Sequence, residues 1–80
     1  MDSTQKNKLK EIICIVLELR DGENPEDCRK LSNERWDSLA QVNMIAAIES
    51  EFAIGIAPKD YIRFTSYKSI EILLDEILGQ

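Results

Sequence analysis

Leu9, Ile12, Ile13, Val16 and Leu17 recur at spacings of three, four, seven and eight residues, which puts them on one face of an amphipathic helix. Asp2, Ser3 or Thr4 can cap its start, because a short oxygen-bearing side chain accepts the free amides of a first turn. Asp21-Gly22 is expected to end it, since glycine enters the left-handed conformation without a steric penalty. A polar connection runs from Glu23 to Arg35, relieved by Cys28 and Leu31. Inside it, Asn24-Pro25-Glu26-Asp27 has a cap, a proline at the first helical position and acids in the first turn; one short helical turn is expected there.

A second strong pattern opens near Asp37-Ser38. Leu39, Val42, Met44, Ile45, Ile48 and Phe52 supply its apolar stripe, and Ala40, Ala46 and Ala47 favour helix. Gly55 and Pro58 punctuate the break after it. Lys59 to Phe64 predicts a short third helix. A cap at Thr65 or Ser66 then opens the last one, in which Ile70, Leu73, Leu74, Ile77 and Leu78 keep the helical period. Phe52 to Ile56 is apolar and short, with no second strand to pair with. The expected fold is all-α: a small four-helix bundle of three main helices and one short one, with a long loop between the first and second. Residues 1–80 are expected to form a single domain.

Composition then removes several kinds of chemistry. The chain has no histidine, so it lacks the commonest general base and the commonest metal ligand. No Ser-His-Asp or Cys-His machine can be assembled, and no catalytic residue is expected. Glu23, Glu26 and Asp27 miss the calcium-loop spacing, so no metal site is expected either. Cys14 and Cys28 read as two reduced thiols rather than a disulfide framework. With 10 basic against 15 acidic residues the net charge is -5, the wrong sign for gripping phosphates; a nucleic-acid partner is not expected. Met1 to Lys10 is polar, and the longest strongly apolar run, Ile12 to Leu17, is too short to cross a bilayer. A cytoplasmic, monomeric chain without membrane insertion is the expectation.

One segment carries candidate chemistry: Arg35-Trp36-Asp37-Ser38-Leu39. Two readings of Ser38 compete. Ser38-Leu39-Ala40-Gln41 fits a capping box, in which serine accepts the amide three residues on and glutamine reaches back; that role contributes ~1 kcal/mol and requires no function. Alternatively, a serine hydroxyl at a helix N-terminus sits where amides and the helix dipole favour negative charge, and a phosphate ester there gains up to ~1 kcal/mol. One residue can serve both roles.

The layout around that segment resembles the acyl carrier protein family over essentially the whole chain, and best from Trp36 to Ile77. Asp37-Ser38-Leu39 matches the family's attachment motif. Glu49-Ser50-Glu51-Phe52 resembles the acidic end of its second helix, and Ile54-Gly55-Ile56 with Pro58 its turn into the third. Phe64-Thr65-Ser66-Tyr67-Lys68-Ser69-Ile70 resembles the entry to its last helix. The resemblance implies a covalent 4′-phosphopantetheine arm on Ser38, flanked by Asp37 and Leu39. A separate phosphopantetheinyl transferase would install it from coenzyme A, supplying the base and metal that this chain lacks. The arm's thiol would then hold acyl groups as thioesters for acyl-loading and acyl-processing enzymes, in a lipid, polyketide or related pathway. An aminoacyl or peptidyl carrier uses the same serine, and an unmodified helical interaction module would use it only as a cap.

The resemblance also implies recognition of basic partners through acids on the second helix, here Asp37, Glu49 and Glu51. Trp36 is either a docking contact or a cover for the base of the core. Met44, Ile45, Ile56, Phe64 and Tyr67 are candidates for lining a cargo pocket, or else ordinary core. Ala40 and Asn43 stand where fatty-acid-synthesis members carry acids, Trp36 replaces a small or aliphatic residue, and Arg35 replaces a glycine. These departures point to a specialised, free-standing carrier.

Overall fold

The computed structural model describes residues 1–79. Three α-helices follow one another, α1 (Ser3–Val16), α2 (Ser38–Phe52) and α3 (Tyr67–Leu78), with short 3-10 helices at Pro25–Asp27, Lys30–Ser32 and Pro58–Arg63. The all-α bundle with a long first connection is the architecture expected from the sequence. No β-strand occurs among the described residues; one isolated bridge joins Arg29 to Ser66.

Asp2 caps α1 in a capping box: the Gln5 amide donates to Asp2 Oδ1 at 2.8 Å, and the Asp2 amide donates to Gln5 Oε1 at 3.0 Å. The helix then stops at Val16, ahead of the expected Asp21-Gly22 break. Glu18 is the reason. At φ 53 it takes the left-handed conformation, so its amide reaches Ile15 O at 3.3 Å and the Leu19 amide reaches Cys14 O at 2.9 Å. Those two bonds satisfy carbonyls that the helix end leaves open. Gly22, at φ 92, serves the following turn instead.

The expected turn at Pro25 forms, capped by the Asn24 side chain, which accepts from the Glu26 amide at 3.0 Å. The turn at Lys30–Ser32 has no counterpart in the sequence reading. Phe52 ends α2, followed by Ala53 at φ 53, so the left-handed residue is an alanine and not Gly55. Ser66 caps α3, accepting from the Ser69 amide at 3.1 Å.

The core forms where the three helices converge. Leu9, Ile13 and Leu17 face Met44 and Ile48 of α2 and Ile70 and Leu74 of α3, all fully enclosed. Each such side chain contributes ~1.5–3 kcal/mol by leaving water. Among the described residues two polar atoms are enclosed without a hydrogen-bond partner, Trp36 Nε1 and the Tyr67 hydroxyl. Burial first, and then the neighbouring Glu71 carboxylate, pushes the Tyr67 phenol well above its ordinary range.

The long connection is fastened to the bundle at several points. The Lys30 amide donates to Thr65 O at 2.8 Å, and the Tyr67 amide donates to Cys28 O at 3.0 Å, which ties the loop to the start of α3. Arg35 Nη1 donates to Glu18 O at 2.7 Å while Nη2 donates to both Glu23 carboxylate oxygens at 3.2 and 3.0 Å. The guanidinium thus joins the strained end of α1 to the residues just before α2. Trp36 is only 3% exposed and plugs the loop's end into the core. A loop held this way delivers Asp37-Ser38 to a defined place.

Candidate functional site

The start of α2 differs from the capping box expected there. Asp37 is the cap, accepting from the Ala40 amide at 2.8 Å, and Ser38 is the first residue inside the helix. Aspartate caps as well as serine does, and here it stands one position earlier, so it takes the amide that serine would have used. Gln41 does not reach back either. Its Oε1 accepts from Lys30 Nζ at 3.1 Å and its Nε2 donates to Tyr61 O at 3.2 Å. The Ser38 side chain is exposed and makes no hydrogen bond among the described residues. Its hydroxyl is therefore free for chemistry at the positive end of a helix of 15 residues.

Beside Ser38 a groove of about 360 Å³ opens between α2 and the 3-10 helix Pro58–Arg63. Its walls are mostly apolar, from Val42, Ile45, Ala46 and Tyr61, with Lys30, Gln41 and Glu49 adding polar groups. Leu39 and Val42 are exposed next to the serine, at 69% and 61%. Apart from the cap, the first turns of α2 present apolar and uncharged side chains to solvent.

The other sequence-singled residues fall in different places. Glu49 and Glu51 lie near the far end of α2, about 16 and about 20 Å along the axis from Ser38 at ~1.5 Å per residue. Glu49 Oε2 accepts from the Ile56 amide at 2.9 Å, which stitches the turn after α2. Glu51 is exposed and 4.0 Å from Lys8. Of the two roles considered for Trp36, the structure places its indole in the core. Met44, Ile56, Phe64 and Tyr67 are enclosed in that same core, whereas Ile45 also borders the groove. Sequence reasoning did not single out Lys30 and Tyr61, and it considered Gln41 only as a capping-box partner. Gln41 carries a sequence signal, three residues on from Ser38; Lys30 and Tyr61 reach the site only through tertiary contact.

The thiol in the long loop offers no competing nucleophile. Cys14 and Cys28 are unbonded, Cys28 is buried, and burial above all, then the Glu23 charge, pushes its thiol above the ordinary value. A thiol held protonated is inert at neutral pH. No cluster of metal-ligating side chains occurs among the described residues. Among the described residues no helix is long and apolar enough to cross a membrane.

The family model described as "Phosphopantetheine attachment site" matches residues 7–74. The chain belongs to the acyl carrier protein family. Family members carry a covalently attached 4′-phosphopantetheine. The chain is similar to Polyketide-8 synthase acyl carrier protein 1 of Streptomyces avermitilis, with 25% identity over 76 residues, 95% of this chain and 90% of that protein. No solved structure gives a significant match. The site fits the family's prosthetic group: a free hydroxyl at a helix N-terminus adjoins a mostly apolar groove. This acyl carrier is a phosphopantetheine carrier, in a family of carriers rather than catalysts.

Proposed function

We propose that this chain acts as a single carrier domain that holds acyl intermediates, of polyketide type, on a 4′-phosphopantetheine arm attached to Ser38. The observation that carries the reading is the division of labour at the start of α2: Asp37 caps the helix, so the Ser38 hydroxyl has no structural task. A serine that served the fold alone would be expected to make the capping bond. When attached, the arm supplies a terminal thiol that bears acyl groups as thioesters.

The chain's own residues contribute position. Arg35 and Trp36 fix the approach to the site, and Asp37 orders the first turn of α2. Helix amides favour the phosphodiester's negative charge. Val42, Ile45, Ala46 and Tyr61 offer apolar surface beside the serine, where each methylene taken from water gains ~0.8 kcal/mol. A phosphopantetheinyl transferase and the acyl-loading and acyl-processing enzymes are the partners. They would meet Leu39 and Val42, the exposed apolar residues next to Ser38, while Glu51 at the helix's other end remains available for a basic contact. Similarity to a polyketide synthase acyl carrier supports the cargo class.

The test is intact-mass spectrometry after incubation with coenzyme A, magnesium and a broad-specificity phosphopantetheinyl transferase. The expected result is the mass of one phosphopantetheine added to the folded protein. A folded protein that takes up none would favour an unmodified interaction module.

A further inference from the structure

Four of the ten basic side chains form ion pairs among the described residues, those of Lys8, Lys10, Arg35 and Arg63. Lys10 Nζ lies 2.6 Å from Glu26, Arg35 3.0 Å from Glu23, and Arg63 2.6 Å from Glu76. Of the basic side chains without a carboxylate partner, Lys30 is the one on the lining of the groove beside Ser38, where its ammonium donates to the neutral Gln41 amide at 3.1 Å. Its backbone is fixed as well, through the bond from its amide to Thr65 O at 2.8 Å. The Gln41 amide is oriented from its other side, because Nε2 donates to Tyr61 O at 3.2 Å. That bond leaves Oε1 to face the lysine. The relay from Lys30 through Gln41 to Tyr61 joins the long loop, α2 and the third 3-10 helix around one groove, and Ser38 is on the same groove's lining.

The geometry puts a positive charge without a carboxylate partner on the same groove as the serine. Gln41 is three residues beyond Ser38 on α2, and side chains at that spacing are neighbours, with Cβ atoms ~5–6 Å apart. An ammonium bonded to Gln41 is thus on the serine's side of the helix.

We propose that Lys30 is the counter-ion of the phosphodiester on Ser38, a positioning residue that directs the root of the arm into the groove between α2 and Pro58–Arg63. This rests on attachment at Ser38. The phosphodiester is the anion that fits best, because its charge is bonded to the serine oxygen itself and stays there whatever the cargo. A carboxylate on the cargo would sit at the far end of a flexible arm. Helix-terminal amides and Lys30 then act on the same anion from two sides, and the arm starts along Val42, Ile45 and Ala46 instead of out into solvent.

The test begins with intact mass, which must show one arm on wild type, Lys30→Gln and Lys30→Arg, and none on Ser38→Ala. Failure at that step overturns the attachment site and is distinct from failure of the lysine's role. Apo and holo wild type are then treated briefly with an amine-acetylating reagent and mapped by peptide mass. Lys30 should react about threefold more slowly in the holo protein, the protection expected of a partly exposed ion pair, while Lys59 and Lys68 react equally in both. Phosphorus NMR gives an independent readout. The holo wild-type resonance should move with rising salt toward that of holo Lys30→Gln, as the pair is screened, and Lys30→Arg should behave as wild type. Equal acetylation of Lys30 in apo and holo protein, or superimposed wild-type and Lys30→Gln resonances at low salt, would overturn the proposal.

Discussion

The two ends of α2 are built for different purposes. At its start, Asp37 supplies the cap, Ser38 is left without a bond, and Leu39 and Val42 are exposed. At its finish, polar groups are committed to the fold. Glu49 accepts the Ile56 amide through its side chain and the Ile54 amide, at 3.2 Å, through its carbonyl, while Ala53 takes up left-handed backbone to let the chain turn. The contrast shows how a small helical protein leaves one serine hydroxyl free of structural duty. The neighbouring residue performs the structural task, and the acid that resembles a recognition contact, Glu49, holds a turn.

Substitutions can break this contrast at either end. Asp37→Ala should have the largest effect, lowering unfolding free energy by about 1 kcal/mol, because it leaves first-turn amides without their cap; urea denaturation measures it. Ala53→Gly should act in the opposite sense and raise stability by up to ~1 kcal/mol, since glycine occupies positive φ without the Cβ clash; a thermal melt reads the gain. Glu49→Gln keeps an acceptor but removes its charge, and should cost about 0.5 kcal/mol while leaving transfer of the arm to Ser38 unchanged.

The smallest effect concerns acid. Glu23, Glu26 and Glu76 are all held below the ordinary carboxylate value. The Arg20 amide and then Arg35 act on Glu23, Lys10 on Glu26, and Arg63 on Glu76. A depressed folded pKa means stability present above the ordinary value of 4.5 and lost as pH falls through the folded values. The folded protein should therefore show a gradual decline below that point. Arg35→Ala should flatten the part due to Glu23, measured as melting temperature against pH.

Much of this was readable in the residues themselves. Helix faces such as Leu9, Ile12 and Ile13, the Asn24-Pro25 turn and the Ser66 cap follow from periodicity and cap chemistry, which are local. What escaped was set by backbone choices that side chains do not announce. Glu18 and Ala53 adopt a conformation more often given to glycine, so α1 ends before Gly22 and the turn after α2 does not use Gly55 for positive φ. At the site, a serine and an aspartate side by side are both good caps, and only coordinates tell which one caps. Lys30 and Tyr61 line the same groove as Ser38 through tertiary structure, Lys30 on the loop tied to the entry of α3 and Tyr61 on the 3-10 helix Pro58–Arg63.

As proposed above, Ser38 is unnecessary for the fold and indispensable for the arm. The most direct measurement takes Ser38→Ala and wild type through the same two assays, a denaturant melt and intact mass after treatment with coenzyme A and the transferase. The account predicts unfolding free energies within about 0.5 kcal/mol of each other, since no capping bond is lost, with one phosphopantetheine on wild type and none on the variant. An arm on the folded variant, or a variant destabilised as severely as Asp37→Ala, would contradict it.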